Sequence, residues 1–165
     1  MTLSISVEND LRTELGDFSS IVCFKALVTG VQEALGEKTA LIALSAAGRQ
    51  RGKQLVASLG LSGANNSLEE TTAIIKKVLG EKGTRLCLID SIERLEAPKS
   101  GFRVACRETI CSSGEKPGSS VELSYTLGAV QGALEATFGV RLRGKQVESV
   151  LRGSTQDVME FSTLN

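Results

Sequence analysis

The order of apolar patterns along this chain of 165 residues predicts an α+β fold. We expect an antiparallel sheet of about four to five strands flanked by about four helices. Three stretches of helical period come first, two strand-like stretches follow, and a fourth helical stretch precedes two more strands. Helices and strands grouped in such runs are typical of antiparallel sheets, not of parallel doubly wound ones. The length predicts a single domain over 1–165, with a loose segment or edge strand at 1–10 and the α+β domain at 11–165.

The first half of the chain predicts three helices. Apolar residues recur at helical spacing over 11–35, and a second helix is expected over about 38–59. Glycines follow both stretches and supply their ends. A third helix is expected over 67–79, because Ser67 and Glu70 have the spacing of a capping box.

The second half of the chain predicts the sheet. The segment 84–90 is apolar on both faces, as in a buried strand, and 102–107 alternates as a half-buried strand antiparallel to it. A fourth helix is expected over about 121–138. Two closing strands are expected over 141–153 and 155–161, with a turn near Gly153.

The charge balance excludes a global attraction to polyanions. Lys plus Arg and Asp plus Glu both number 19, so we predict no nucleic-acid partner. Two local groups of basic residues are expected on a solvated face, or at the anionic end of a mainly apolar ligand. They are Arg49, Arg51 and Lys53, and Arg141, Arg143 and Lys145.

Hydropathy and cysteine usage predict a cytoplasmic protein. No apolar run reaches the roughly 18 residues of a membrane span, and the first residues lack the basic-then-apolar order of a signal peptide. In that compartment the four cysteines are expected to be free thiols. They are Cys23, Cys87, Cys106 and Cys111.

The residue inventory does not favour catalysis, and we predict no catalytic residues, no cofactor and no metal. The chain has no histidine, so a nucleophile–imidazole pair cannot form. Only Cys106 and Cys111 lie close in sequence, which is not a typical zinc-ligand spacing, although a reactive role for Cys111 stays open. The carboxylate pairs Glu69/Glu70 and Glu93/Glu96 fit solvated surface, and no phosphate-binding glycine loop follows a strand.

Two pairs of glycines within helices are the sequence feature that points most directly to a function. Gly48 and Gly52 lie in the second helix, and Gly128 and Gly132 lie in the fourth. A helical glycine costs about 1 kcal/mol relative to alanine, so four of them need a compensating contact. Residues four apart share a face, and each pair therefore makes a strip without side chains. The strips either pack helices closely or open a cleft that admits a hydrophobic ligand.

These segments resemble a known superfamily. The runs CFKALVTGVQEAL and ALSAAGRQRGKQLVASLG are similar to those of 4-vinyl reductase-type hydrocarbon-binding domains and TRAPP vesicle-transport subunits. The second helix of that superfamily carries a glycine, a basic residue, a second glycine four residues after the first, and a leucine. The corresponding residues here are Gly48, Arg51, Gly52 and Leu55. The run YTLGAVQGALEATFG resembles the C-terminal helix of the same superfamily, and the likeness covers roughly residues 15–162.

The resemblance implies a helix-flanked sheet, a dimer formed through helices, and binding of small apolar molecules or a scaffold role. It implies a ligand near Gly48, Arg51, Gly52, Leu55, Tyr125, Gly128 and Gly132. The metal of the hydrocarbon-binding branch is not carried over, since the final strands lack cysteine. The acylated cysteine of the transport branch is not carried over either. Its place, just after the ALVT-like run, is occupied here by Val31 and Gln32.

We therefore expect a non-enzymatic homodimeric domain that binds a small hydrophobic ligand. A scaffold subunit without a ligand is the alternative, and a protein related to tetrapyrrole vinyl reduction is a third possibility. The first helix has an apolar surface broader than the ~100° arc that one packed face needs. The dimer interface is accordingly predicted at Phe24, Leu27, Val28 and Val31.

Overall fold

Four helices and a four-stranded antiparallel sheet form the described part of the chain, residues 20–63 and 67–164 of a computed structural model. This confirms the predicted α+β class. The elements in order are α1 (Ile21–Leu35), α2 (Glu37–Ser58), α3 (Leu68–Leu79), β1 (Leu88–Arg94), β2 (Gly101–Arg107), α4 (Tyr125–Phe138), β3 (Leu142–Glu148) and β4 (Asp157–Thr163). The strand order in the sheet is β1-β2-β4-β3. The part of the predicted first helix before residue 20 lies outside the described residues.

The capping box at the start of α3 is present as predicted. The Glu70 amide donates to Ser67 Oγ at 3.1 Å, and the Ser67 amide donates to Glu70 Oε2 at 2.8 Å. These two bonds satisfy amides that have no partner within the helix. The hydrogen bond from the Ser67 amide is also the largest cause that lowers the pKa of the Glu70 carboxyl.

The first strand begins four residues later than predicted. Thr84 and Leu86 donate their amides to the carbonyls of Val78 and Leu79 at 2.8 and 2.9 Å. The segment before Leu88 therefore satisfies the last carbonyls of α3, and its backbone is not free to pair with β2. The predicted apolar run is nevertheless buried at Leu86 and Ile89.

Two further boundaries differ from the prediction. α4 begins at Tyr125 and not near 121, because Leu123 is held before the helix by a 2.8 Å bond from its amide to Gln146 Oε1. β3 ends at Glu148, where the pairing with β4 shifts register, and a 3-10 turn covers Val150–Arg152. The turn near Gly153 is confirmed: that residue has φ +94°, a left-handed conformation that suits glycine.

The two faces of the sheet differ in chemistry. Phe102 and Val104 of β2 pair with Phe161 and Met159 of β4, and all four are buried. The opposite face is polar and carries an ion-pair network around Arg103, which bonds Glu160 at 2.9 Å and also bonds Glu148. The alternation in β2 that predicted a half-buried strand is thereby explained.

α4 is the central helix of the domain. It packs on β3 on one side and on α2 on the other, and most of its residues are buried. Its residues are accordingly apolar or small apart from Gln131 and Glu135, as expected of an enclosed helix. α3 packs on β1, and α1 packs on α2. Within the described residues, no helix combines the length and apolarity needed to cross a membrane.

Candidate functional site

The glycine pair of α2 lies against the backbone of α4. A Cβ atom added at Gly48 would stand 2.1 Å from the Tyr125 carbonyl oxygen, and one at Gly52 would stand 2.1 Å from that of Ala129. Real Cβ atoms do not approach carbonyl oxygens so closely. The compensating contact that the sequence predicts for this strip is therefore present, and it is made by the backbone of α4.

The glycine pair of α4 makes the reciprocal contact. A Cβ added at Gly128 would lie 2.0 Å from the Ser45 carbonyl oxygen, and one at Gly132 would lie 2.0 Å from that of Arg49. The two strips therefore pack on each other, backbone on backbone. The carbonyls of the facing helix occupy the space beside the glycines, so a ligand site has to lie next to this contact and not within it.

A buried carboxylate fastens the same two helices. Glu135 of α4 is 4% exposed and accepts two bonds of 2.7 Å from the Arg49 guanidinium, while Lys53 lies 3.2 Å away. The Leu142 amide of β3 donates to the same carboxylate at 2.8 Å. Burial alone would raise the pKa of Glu135, but hydrogen bonds led by that of Arg49 outweigh it and lower the pKa.

This pairing gives two of the basic residues of α2 a role that differs from both roles predicted for them, the solvated face and the anionic end of a ligand. Arg49 and Lys53 both pair with Glu135 and thus hold α2 on α4. In the second group, Lys145 lies 3.9 Å from Glu160 on the polar face of the sheet. Arg141 and Arg143 are exposed there, as expected of a solvated face.

Tyr125 lies at the opposite end of the helix contact from Leu55. Its ring packs edge-on against Phe24 of α1, with centroids 4.7 Å apart. Burial raises the pKa of the Tyr125 hydroxyl. Phe24 is thus half-buried within its own chain.

The other residues predicted for a dimer interface differ in accessibility. Val28 is fully buried and packs with Ala40 and Leu44, so its side chain is not available to a second copy. Val28 is therefore removed from the predicted dimer interface. Val31 is half-buried, whereas Leu27 is 59% exposed.

An apolar cleft lies beside the glycine contact, between α2, α3 and α4. Its cavity volume is about 10 Å³, roughly the space that holds one water molecule. The lining residues are Leu55, Val56, Leu59, Leu61, Thr71, Ile74, Ile75, Val78, Ala133 and Thr137. Of the seven residues predicted to contact a ligand, this cleft includes Leu55.

One polar atom in this cleft has no hydrogen-bond partner among the residues that the structure describes. The Thr71 hydroxyl is buried, and the described part of the chain offers it no hydrogen bond. Such an unpaired buried group is uncommon in folded proteins and calls for a specific explanation. Thr71 is not among the residues predicted to contact a ligand, although its position carries a signal. Thr71, Ile75 and Val78 have helical spacing, which places a hydroxyl within the apolar stripe of α3.

The four cysteines differ in their exposure. All four are unpaired thiols, as predicted, and three of them are buried. Contact with the Cys87 thiol and burial together raise the pKa of Cys106, which keeps it protonated and unreactive. Cys111 is buried beside the Thr126 hydroxyl, with its sulfur 3.5 Å from that oxygen.

No protein-family model and no curated protein matches the chain by sequence. Among solved structures, the phenol-responsive sensory domain of the transcription activator PoxR, solved with phenol, matches with a TM-score of 0.64 and 13% identity. The match covers 89% of this chain and 76% of that one.

Two further structures have the same fold. A trafficking protein particle complex subunit 3 from Naegleria fowleri, covalently bound to palmitic acid, matches with a TM-score of 0.63 and 19% identity, over 88% of this chain and 93% of that one. A vinyl-4-reductase family protein from Methanocaldococcus jannaschii matches with a TM-score of 0.53 and 16% identity, over 92% and 85%. The chain therefore shares its fold with these three proteins, two of which are of the kinds that its helices resemble in sequence.

Proposed function

We propose that this chain is a non-enzymatic, cytoplasmic domain that binds a small hydrophobic ligand in the cleft between α2, α3 and α4. The observation that carries the proposal is the composition of that cleft, eight of whose ten lining residues are apolar. Ligand sites are typically apolar cavities with a few polar groups that orient the ligand.

The position of the cleft also supports the proposal. The glycine contact fixes α2 on α4 and leaves α3 as the third wall. Leu59, Leu61 and Ile74 are half-buried, and they form the part of the wall that reaches the surface. Since the cavity is narrow, a ligand larger than water enters by moving these side chains and α3 outward. The PoxR domain was solved with phenol and the Naegleria subunit with covalently bound palmitic acid, which supports ligand binding in this fold.

The proposal is tested with n-hexane as the probe, followed by methyl NMR. We expect saturating n-hexane to shift the methyl resonances of Ile74, Ile75 and Val78, which line the cleft. The methyls of Val104, in the sheet core, serve as the internal reference and should not move.

Two valine substitutions separate binding in the cleft from surface adsorption. Ala133→Val adds two methyl groups at the cleft wall and should abolish the shifts. Ala43→Val, at an exposed position of α2, is the matched control and should keep them. Shifts that persist in folded Ala133→Val, or a wild type whose cleft methyls do not respond, would contradict the proposal and favour a scaffold role without a ligand.

We further propose that the domain is a homodimer. Val22 and Leu27 of α1 and Ile42 of α2 are 74%, 59% and 72% exposed. These side chains lie on two helices that pack on each other, and exposed apolar surface commonly marks a site that pairs with a partner. A twofold pairing of identical faces is the commonest closed arrangement.

A further inference from the structure

The Thr71 hydroxyl differs from the other helical threonines around it. Thr72 donates its hydroxyl to the Leu68 carbonyl at 2.7 Å, and Thr137 donates to the Ala133 carbonyl at 2.9 Å. Both use the carbonyl four residues earlier, the usual partner of a helical threonine. Thr71 makes no such bond within the described residues, although it is only 2% exposed.

The surroundings of Thr71 restrict the kind of partner that can satisfy it. The described residues that line the cleft carry no charge, so a carboxylate or an ammonium group would be desolvated there without compensation. The Thr137 hydroxyl also lines the cleft, and it keeps acceptor capacity after donating to Ala133. The cleft therefore presents two neutral hydroxyl oxygens in an otherwise apolar wall.

We infer that the cleft selects a slender neutral molecule with a hydroxyl group on a hydrocarbon body, in class a short aliphatic alcohol, and that Thr71 is its hydrogen-bond partner. The inference rests on the proposed function of this cleft. A hydroxyl both donates and accepts, so it pairs with Thr71 in either direction. The hydrocarbon body replaces water against the leucine, isoleucine and valine side chains.

The test compares two probes of nearly equal shape, 1-pentanol and n-hexane, which differ by a hydroxyl in place of a methyl group. Binding is followed by the methyl shifts of Ile74, Ile75 and Val78 in the wild type, in Thr71→Val and in Thr71→Ser. Thr71→Val keeps the shape of the side chain and removes the hydroxyl, whereas Thr71→Ser keeps the hydroxyl. We expect Thr71→Val to weaken 1-pentanol binding about tenfold, as for one lost buried hydrogen bond, and to leave n-hexane binding unchanged. Thr71→Ser should retain the wild-type preference.

The outcomes separate the inference from the proposed function. If Thr71→Val binds 1-pentanol as tightly as the wild type, the inferred pairing is wrong, while n-hexane binding would still support an apolar site. If Thr71→Val loses both probes equally, Thr71 shapes the cleft without pairing, which also overturns the inference. If neither probe shifts the cleft methyls of the wild type, the proposed function itself fails.

Discussion

At the scale of single residues, the structure places two buried polar groups in opposite situations. The Glu135 carboxylate is enclosed but accepts hydrogen bonds from α2, α4 and β3. The Thr71 hydroxyl is equally enclosed but has no partner among the described residues. A paired buried charge and an unpaired buried hydroxyl have opposite effects on stability, and each can be measured.

Removing the unpaired hydroxyl should stabilise the ligand-free protein. We expect Thr71→Val to raise the free energy of unfolding by about 1 kcal/mol, because an apolar isostere does not incur the desolvation penalty of an unsatisfied group. Thr72→Val is the matched control, and it should not stabilise, since that hydroxyl is already bonded to Leu68. Chemical denaturation measures both. A Thr71→Val variant less stable than the wild type would mean that a buried water satisfies the hydroxyl.

The Glu135 carboxylate predicts an acid-dependent contribution to stability. Its pKa is lowered in the folded state from a usual value of 4.5, so its contribution is complete above that pH and is lost as the pH falls through the folded-state pKa. Glu135→Gln should cost about 1.5–3 kcal/mol at pH 7, as expected for hydrogen bonds to a charged group.

The difference between Glu135→Gln and the wild type should narrow in acid, as urea unfolding midpoints at a series of pH values will measure. Glu122→Gln, at an exposed position, is the control and should leave the curve unchanged. A constant difference in unfolding midpoint between Glu135→Gln and the wild type across the acid range would contradict the predicted contribution of the Glu135 carboxylate.

At the scale of elements, the packing of α2 on α4 depends on the absence of four Cβ atoms. Added Cβ atoms at Gly52 and Gly128 would meet backbone oxygens, which are fixed by the facing helix and cannot rotate away. Overpacking typically costs about 1–3 kcal/mol, and a rigid contact lies at the upper end of that range.

Alanine substitution tests this contact without adding a large side chain. We expect Gly52→Ala to destabilise the fold by about 3 kcal/mol or more, although alanine is the better helix former. Gly30→Ala in α1 is the matched control: nothing lies within 4 Å of its added Cβ, and it should gain up to about 1 kcal/mol. Thermal unfolding measures both. A Gly52→Ala variant as stable as the wild type would show that the helices can separate at no cost.

At the scale of the whole molecule, the exposed face of α1 predicts the oligomeric state. Leu27→Asp places a charge among exposed apolar side chains and should convert the proposed dimer to a folded monomer. Sedimentation velocity at tens of micromolar measures the change. Glu33→Asp, also at an exposed position of α1, is the control, because it keeps the charge of the side chain. A wild type that is already monomeric would refute the dimer.

Phe24→Asp is less suited than Leu27→Asp to test the proposed dimer. Phe24 is one of the four residues predicted for the interface, but its ring packs on Tyr125 within the same chain. Phe24→Asp should therefore unfold the protein instead of only dissociating it, since it would bury a charge beside an apolar core. Circular dichroism distinguishes the two results.

The sequence by itself determined the class of the fold and most of its elements, because these depend on local signals. The period of the apolar residues located α2, α3 and α4, and Ser67 with Glu70 marked a helix start that depends only on neighbouring backbone. The spacing of the glycines also required a close contact at each strip. The limits of β1 and α4 were missed because they depend on bonds to other elements, those of Thr84 to Val78 and of Leu123 to Gln146.

Only the tertiary structure decided what the glycine strips contact and where a ligand can lie. Gly48 and Gly128 are 80 residues apart, and no local pattern shows that each faces the backbone of the other's helix. The cleft combines side chains from three helices, and the Thr71 hydroxyl, which has no partner among residues 20–63 and 67–164, lines it. Whether a residue is buried depends on which elements pack over it. The role of a polar residue within an apolar stripe can therefore be assigned only when the surfaces around it are known.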